Sequence, residues 1–190
     1  MKTTSIMLVG VGGQGTLLAS KVLGNMLFES GHDVKVSEIH GMAQRGGSVV
    51  TYIRFGEKVN SPIVDEGHAD YIIGFEQLES YRWLPYLKKG GTMIANTQRI
   101  NPMPVITGAA KYPEGISKEL NEKLQTYREI NAIDMALECG NARAVNIVLL
   151  GVLAKTMSVD KEIWLNAIKK TVPPKLLDVN LKAFEMGYSE

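Results

Sequence analysis

The chain has 190 residues, 45% of them apolar and 22% charged. These are the proportions of an ordinary globular protein, long enough to bury a full hydrophobic core, and they exclude a disordered chain. Lys and Arg total 21 against 20 Asp and Glu, so the chain lacks the basic field on which nucleic-acid binding depends.

No window reaches the ~18 apolar residues of a membrane span. The N-terminus places one basic residue, Lys2, before an apolar run too short for a secretory signal. A cytoplasmic protein is expected, with no membrane and no nucleic acid among its partners. Cys139 is the single cysteine. One thiol makes no internal disulfide and holds no iron–sulfur cluster, which needs about four thiolates. It reads as a small buried apolar residue, and any redox centre belongs to a partner chain.

Short β-branched runs alternate with amphipathic helices, which argues for an α/β layer fold. Ser5–Gly10 is a compact apolar run ending at glycine, as a buried parallel strand does. Gln14 to Ser30 reads as a helix with Leu17, Leu18, Val22, Met26 and Leu27 on one stripe, and Gly31 ends it. Asp33–Glu38 alternates as a second strand, and His40–Ser48 breaks all periodicity as a loop. Val49–Phe55 alternates again, and Gly56 turns it towards Val59, suggesting a hairpin and an antiparallel edge.

Tyr71–Phe75 is a strand feeding a helix from Gln77 to Lys88, and Gly90-Gly91 leads into the strand Thr92–Asn96. Pro102 and Pro104 bracket a short extended piece near Val105-Ile106. Ser117 is a suitable N-cap for a helix over Lys118–Tyr127, and Ile130–Met135 reads as the final strand. Ala144–Ala154 is a buried helix, Asp160–Lys170 turns Ile163, Trp164, Ala167 and Ile168 inward, and a last helix follows Pro173-Pro174. Without repeat or linker, residues 1–190 form one expected domain: a three-layer Rossmann-like sandwich around a mostly parallel, mixed sheet.

Gly10-Val11-Gly12-Gly13-Gln14-Gly15 matches G-x-G-x-x-G after a strand and before a helix. Such a loop either brings free N–H groups to a dinucleotide phosphate or makes a tight turn that needs glycine. Glu38, ending the second strand, sits near where a ribose-binding acid is expected. The extra Gly13 and the Gln14 that follows are not specified by the dinucleotide code.

The most distinctive segment is Ser37-Glu38-Ile39-His40-Gly41-Met42-Ala43-Gln44-Arg45-Gly46-Gly47-Ser48-Val49. It gathers a histidine, an amide, an arginine and three glycines at a strand end, where open α/β sheets place ligands or partners. Arg45 beside Gly46-Gly47 can meet a carboxylate or a phosphate, or be a solvated arginine on a turn.

The glycine loop with Gln14, followed by Arg45-Gly46-Gly47, resembles the gamma-domain family of the 2-oxoacid:ferredoxin/flavodoxin oxidoreductases. The form His40 to Val49 is similar to the indolepyruvate branch, in its beta subunits, whereas pyruvate-type gamma chains carry a tyrosine and a glutamate before the same Arg-Gly-Gly. Ala69–Glu76 with Glu79, the Gly90-Gly91 turn and Asn146 to Gly151 agree, so the likeness runs from Ile6 to about Gly187.

The resemblance implies the small subunit of a complex that decarboxylates an aryl oxoacid, transfers the acyl group to coenzyme A and passes electrons to ferredoxin. It implies a larger subunit that holds thiamine diphosphate, Mg²⁺ and [4Fe–4S] clusters, with no cofactor on this chain alone. His40, Gln44, Arg45, Gly46 and Gly47 form the candidate active-site or interface loop, and Gly10, Gly12, Gly13, Gln14 and Gly15 the glycine loop. Two other readings stand beside it: the gamma subunit of a pyruvate or 2-oxoglutarate enzyme, and an independent NAD(P)-binding oxidoreductase.

No second histidine or cysteine lies at ligand spacing from His40, so no metal is expected here. His32 and His68 flank glycine turns and are expected in solvent. Glu76 and Glu79 begin a helix, where carboxylates favour the positive end of the dipole; a catalytic acid–base pair is the alternative. A permanent interface is expected to leave an apolar surface on the isolated chain, with Trp83, Tyr86 and Tyr112 as aromatic candidates.

Overall fold

The computed structural model describes residues 3–41 and 46–190. Six strands form one sheet in the order β2-β3-β1-β4-β5-β6. They are β1 (Thr4–Val11), β2 (Asp33–His40), β3 (Ser48–Gly56), β4 (Ala69–Gly74), β5 (Leu87–Asn96) and β6 (Thr126–Ile130). β1, β4, β5 and β6 run parallel, while β3 lies antiparallel to both neighbours. A mixed sheet results, as expected.

The alternation in β1 explains the three layers. Ile6 and Leu8 join the core on one face, and Met7 and Val9 that on the other. A strand buried on both sides must read as an unbroken apolar run. The first face carries α1 (Thr16–Glu29), α5 (Ala132–Glu138), α6 (Val145–Thr156), α7 (Lys161–Thr171) and α8 (Leu177–Ser189). The second carries α2 (Gln77–Arg82) and α4 (Ile116–Lys123), with Val64 from the long connection after β3.

α6 is buried through its middle and crosses α8 at a glycine contact. A Cβ on Gly151 would lie 2.3 Å from the carbonyl oxygen of Phe184, and one on Gly187 would lie 2.0 Å from that of Val148. Only hydrogen at these positions lets the two backbones approach so closely.

Several expected elements differ from the structure, each for a local reason. β3 is not an edge: it pairs with β1 on one side and β2 on the other. No strand lies between Gly56 and β4, so Val59 is not part of a hairpin; the antiparallel partner of β3 on that side is β2. The helix from Gln77 stops at Arg82 and gives way to a 3-10 turn, Leu84–Tyr86, because Pro85 has no N–H to continue an α-helix. β5 therefore begins at Leu87, ahead of Gly90-Gly91.

The stretch Met103–Ile106 is not extended but a short helix, α3, with Pro102 as its N-cap and Pro104 in its first turn, where proline's fixed φ is suited. Gly115, not Ser117, precedes α4; the Ser117 hydroxyl instead accepts from Gln77 Nε2 at 2.6 Å. The last strand ends at Ile130, and Asn131 then caps α5 with Asp134 in its first turn. On α1, Leu17 points to solvent, 52% exposed, while Val22, Met26 and Leu27 face the core.

Candidate functional site

The carboxyl ends of β1, β2, β4 and β5 share one edge of the sheet, and the two sequence motifs meet there. The β1–β3 ladder ends at Val11 opposite Ser48, and the backbone continues the pairing beyond it. Gly12 N–H donates to the Gly47 carbonyl at 2.8 Å, and Gly46 N–H to the Gly12 carbonyl at 3.3 Å. The peptide that a dinucleotide fingerprint would offer to a pyrophosphate is thus engaged by the second loop.

Gln14 accounts for the departure from that fingerprint. Its Oε1 accepts from Val11 N–H at 2.9 Å, and its Nε2 donates to the Phe75 carbonyl at 2.8 Å and to Gln98 Oε1 at 2.9 Å. One amide therefore ties the ends of β1, β4 and β5 together. A Cβ on Gly10 would stand 2.9 Å from Phe75 Cβ and 2.8 Å from Gln14 Oε1, so glycine keeps both contacts in place. Gly15 adopts φ +80 and touches Asn146, whose Nδ2 donates to the Gly15 carbonyl at 3.0 Å. The loop and the start of α6 are one packed unit.

Glu38 is engaged as well. It accepts from the Thr51 hydroxyl at 2.9 Å and pairs with His40 Nε2 at 2.6 Å. The His40 side chain is exposed at the loop's entrance. Gly41 N–H donates to the Ser48 carbonyl at 3.1 Å, and Gly46 adopts φ +74, which favours glycine. Gln44 and Arg45 lie outside the described residues.

Glu76 and Glu79 are buried but do not form an acid–base pair. Glu76 caps α2, accepting from Glu79 N–H at 2.8 Å, Ile100 N–H at 3.0 Å and the Tyr112 hydroxyl at 2.5 Å. Three donors compensate a carboxylate that has lost its water. The other acid, Glu79, accepts from the Ser48 hydroxyl at 2.5 Å, where β3 begins, and pairs with Arg82 at 3.5 Å. Burial and the bond to Glu76 hold the Tyr112 phenol well above its usual pKa. Trp83 and Tyr86 pack at the edge of the second core, and Tyr112 is buried in it. They are not an exposed interface cluster, contrary to expectation.

A cleft of about 560 Å³ opens beside the glycine loop, lined by Gly13, Gln14, Gln98, Asn146 and Asn180, with Leu18, Ile100 and Ile133 on its apolar side. That volume is typical of a small-molecule site. Arg143 supplies its charged side chain, just after Asn141, which caps the turn into α6. Arg143 was not evident from the sequence; the available signal was an Asn-Ala-Arg-Ala run before a mainly aliphatic helix. Among the described residues no group of three or more His, Cys, Asp or Glu can hold a metal ion. Cys139 is buried beside Met186, and burial pushes its thiol pKa up. A lone buried thiol does not fit an iron–sulfur cluster.

Comparison with known proteins gives this geometry a family. Residues 5–190 match the pyruvate ferredoxin/flavodoxin oxidoreductase family model. The chain is 42% identical to indolepyruvate oxidoreductase subunit IorB of Pyrococcus horikoshii, covering 98% of this chain and 95% of that one. It is 27% identical to the pyruvate/ketoisovalerate oxidoreductases common subunit gamma of Thermococcus kodakarensis, over 95% and 93%. Ketoisovalerate oxidoreductase subunit VorA of Methanothermobacter marburgensis is 28% identical over 96% of this chain but only 35% of its own length.

The crystal structure of pyruvate oxidoreductase subunit PORC from Thermotoga maritima superposes with a TM-score of 0.75 at 22% identity, covering 100% and 97%. That likeness concerns the fold alone. No helix among the described residues is long and apolar enough to cross a membrane. With its glycine loop, paired second loop and almost its whole length matched, the chain belongs to the pyruvate ferredoxin/flavodoxin oxidoreductase family.

Proposed function

We propose that this chain is the small subunit of a cytoplasmic indolepyruvate oxidoreductase, a single gamma-type domain inactive without its larger partner. The observation that carries the reading is the identity gap: 42% to an indolepyruvate subunit over nearly the whole of both chains, against 27% to a pyruvate-type gamma subunit. The complex converts an aryl 2-oxoacid and coenzyme A to acyl-coenzyme A, carbon dioxide and a proton, and two electrons reduce ferredoxin. Thiamine diphosphate and Mg²⁺ on the larger subunit would supply the decarboxylation chemistry, and [4Fe–4S] clusters there the route for the electrons. This chain's donor set suits neither.

The role left to it is to present His40, Gln44, Arg45, Gly46 and Gly47 to the partner's active site. The Gly12–Gly47 pairing supports that role by fixing the loop's exit. Arg45 offers a planar, charge-assisted contact to a phosphate of coenzyme A, the substrate carboxylate or a partner carboxylate.

The test is to co-express the chain with the larger subunit and measure ferredoxin-linked oxidation of indolepyruvate and of pyruvate. Preference for indolepyruvate supports the proposal, and preference for pyruvate refutes it. In the same complex Arg45→Ala should lose about 1.5–3 kcal/mol in the affected step. Unchanged assembly and kinetics would reduce the loop to a turn.

A further inference from the structure

One carboxylate oxygen holds both ends of an exposed loop. Glu76, 1% exposed, accepts through Oε1 from Ile100 N–H at 3.0 Å and from the Tyr112 hydroxyl at 2.5 Å. Between those stems, residues 101–111 leave the body of the protein and return. The loop also closes on itself: Val105 and Ile106 N–H donate to the Pro102 carbonyl at 2.9 and 3.1 Å, and Ala110 N–H to the Pro104 carbonyl at 2.9 Å. Val105 roots it in the second core. Its base is therefore fixed by charge-assisted bonds, which are stronger than neutral ones.

Its tip has an unusual composition for a mounted surface loop. Residues 100–110 include no charged side chain, while Met103 and Ile106 are 65% and 64% exposed. Three residues apart on α3, they share one face. Single exposed apolar residues are ordinary; two on one turn, in a charge-free segment, make a knob that a charged partner surface would not accept.

The knob follows β5 at the carboxyl edge of the sheet, and Ile100 at its base lines the cleft. Leu17, at the start of α1, and Ile39, near the end of β2, add exposed apolar area along that edge. The ketoisovalerate relative shows that a unit like this one can be part of a much larger chain. This chain matches about a third of that longer chain, so roughly twice its own mass is joined there to the matched unit. In the small-subunit reading above, the corresponding mass belongs to the larger subunit.

We infer that α3 and its flanking loop form a docking knob, with Met103 and Ile106 seated in an apolar recess of the larger subunit beside the cleft. The inference rests on the small-subunit reading above. It is tested by co-expressing the larger subunit with full-length wild-type chain, Met103→Glu, Ile106→Glu and, as a control, Phe28→Glu. Phe28 is 72% exposed at the far end of α1.

All three variants should keep the wild-type urea midpoint when isolated, because each position is already in solvent. Met103→Glu and Ile106→Glu should each weaken association at least tenfold by gel filtration and titration, and Phe28→Glu should not. Association of both knob variants at wild-type strength would overturn the inference while leaving the small-subunit reading intact. So would an effect confined to self-association of the isolated chain, which would make a second copy the occupant. A wild-type chain that never binds the larger subunit would sink both readings.

Discussion

Replacing Gln14 with alanine separates a structural glycine loop from a nucleotide cradle. The Phe75 carbonyl would keep its bond from Asn96 Nδ2 at 3.0 Å, and Gln98, at the mouth of the cleft, can turn to water. Val11 N–H has no such substitute, since Val11 is buried and Gln14 Oε1 is its partner. Stranding a buried donor costs about 1–3 kcal/mol, and losing the Gln98 bond about 1 more. Because the cleft admits some water, the sum should fall near 2–3 kcal/mol. For a chain of this size that corresponds to a Tm lower by about 4–12 °C. Urea unfolding of wild type and Gln14→Ala, followed by circular dichroism, gives the value directly. A loss below about 0.5 kcal/mol, the range of neutral surface changes, would refute the argument that this amide ties three strand ends together.

Other consequences can be measured alongside it. Gly151→Ala should destabilise by about 2 kcal/mol or more, because overpacking against the α8 backbone outweighs the ~1 kcal/mol helix-propensity gain. Gly24→Ala, whose added Cβ meets only Val36 Cγ2 at 3.9 Å, should instead stabilise by about 0.5–1 kcal/mol; equal stability in the two variants would contradict the close-approach account. Alkali should weaken the fold. Tyr112 is held neutral above its ordinary value of 10 and Tyr127 is pushed up to about 12, chiefly by burial. Their contribution is therefore complete below pH 10 and lost as pH rises through the folded values. Urea midpoints across that range should fall, less steeply in Tyr112→Phe; a flat profile would argue against it. Isolated chain should bind NAD(H) and NADP(H) weakly or not at all, since Gly12 N–H is already engaged. A calorimetric dissociation constant in the low micromolar range, about −8 kcal/mol, would reopen the dinucleotide reading.

Local sequence determined the layers and the motif positions. A strand buried on both faces must read as a continuous apolar run, so β1 and the parallel architecture were legible from Ser5–Gly10. α6 was equally plain, because its mainly aliphatic stretch up to Ala154 leaves no polar face to turn to solvent. The glycine loop and the Arg45 loop were visible as interruptions of periodicity, and their joint pattern pointed to the family.

Tertiary structure decided which groups those loops serve. Nothing in the sequence states that Gln14 reaches Phe75 and Gln98, or that Gly12 spends its N–H on Gly47, since these bonds span distant segments. The place of β3 between β2 and β1 likewise follows from long-range pairing, which a lone alternating run does not specify. Glu76 and Glu79 begin the same helix, yet one anchors the knob and the other Ser48. Arg143 enters the cleft only because α6 packs its start against Gly15. Periodicity records which face of an element is buried; which partner covers that face depends on contacts the local sequence does not encode.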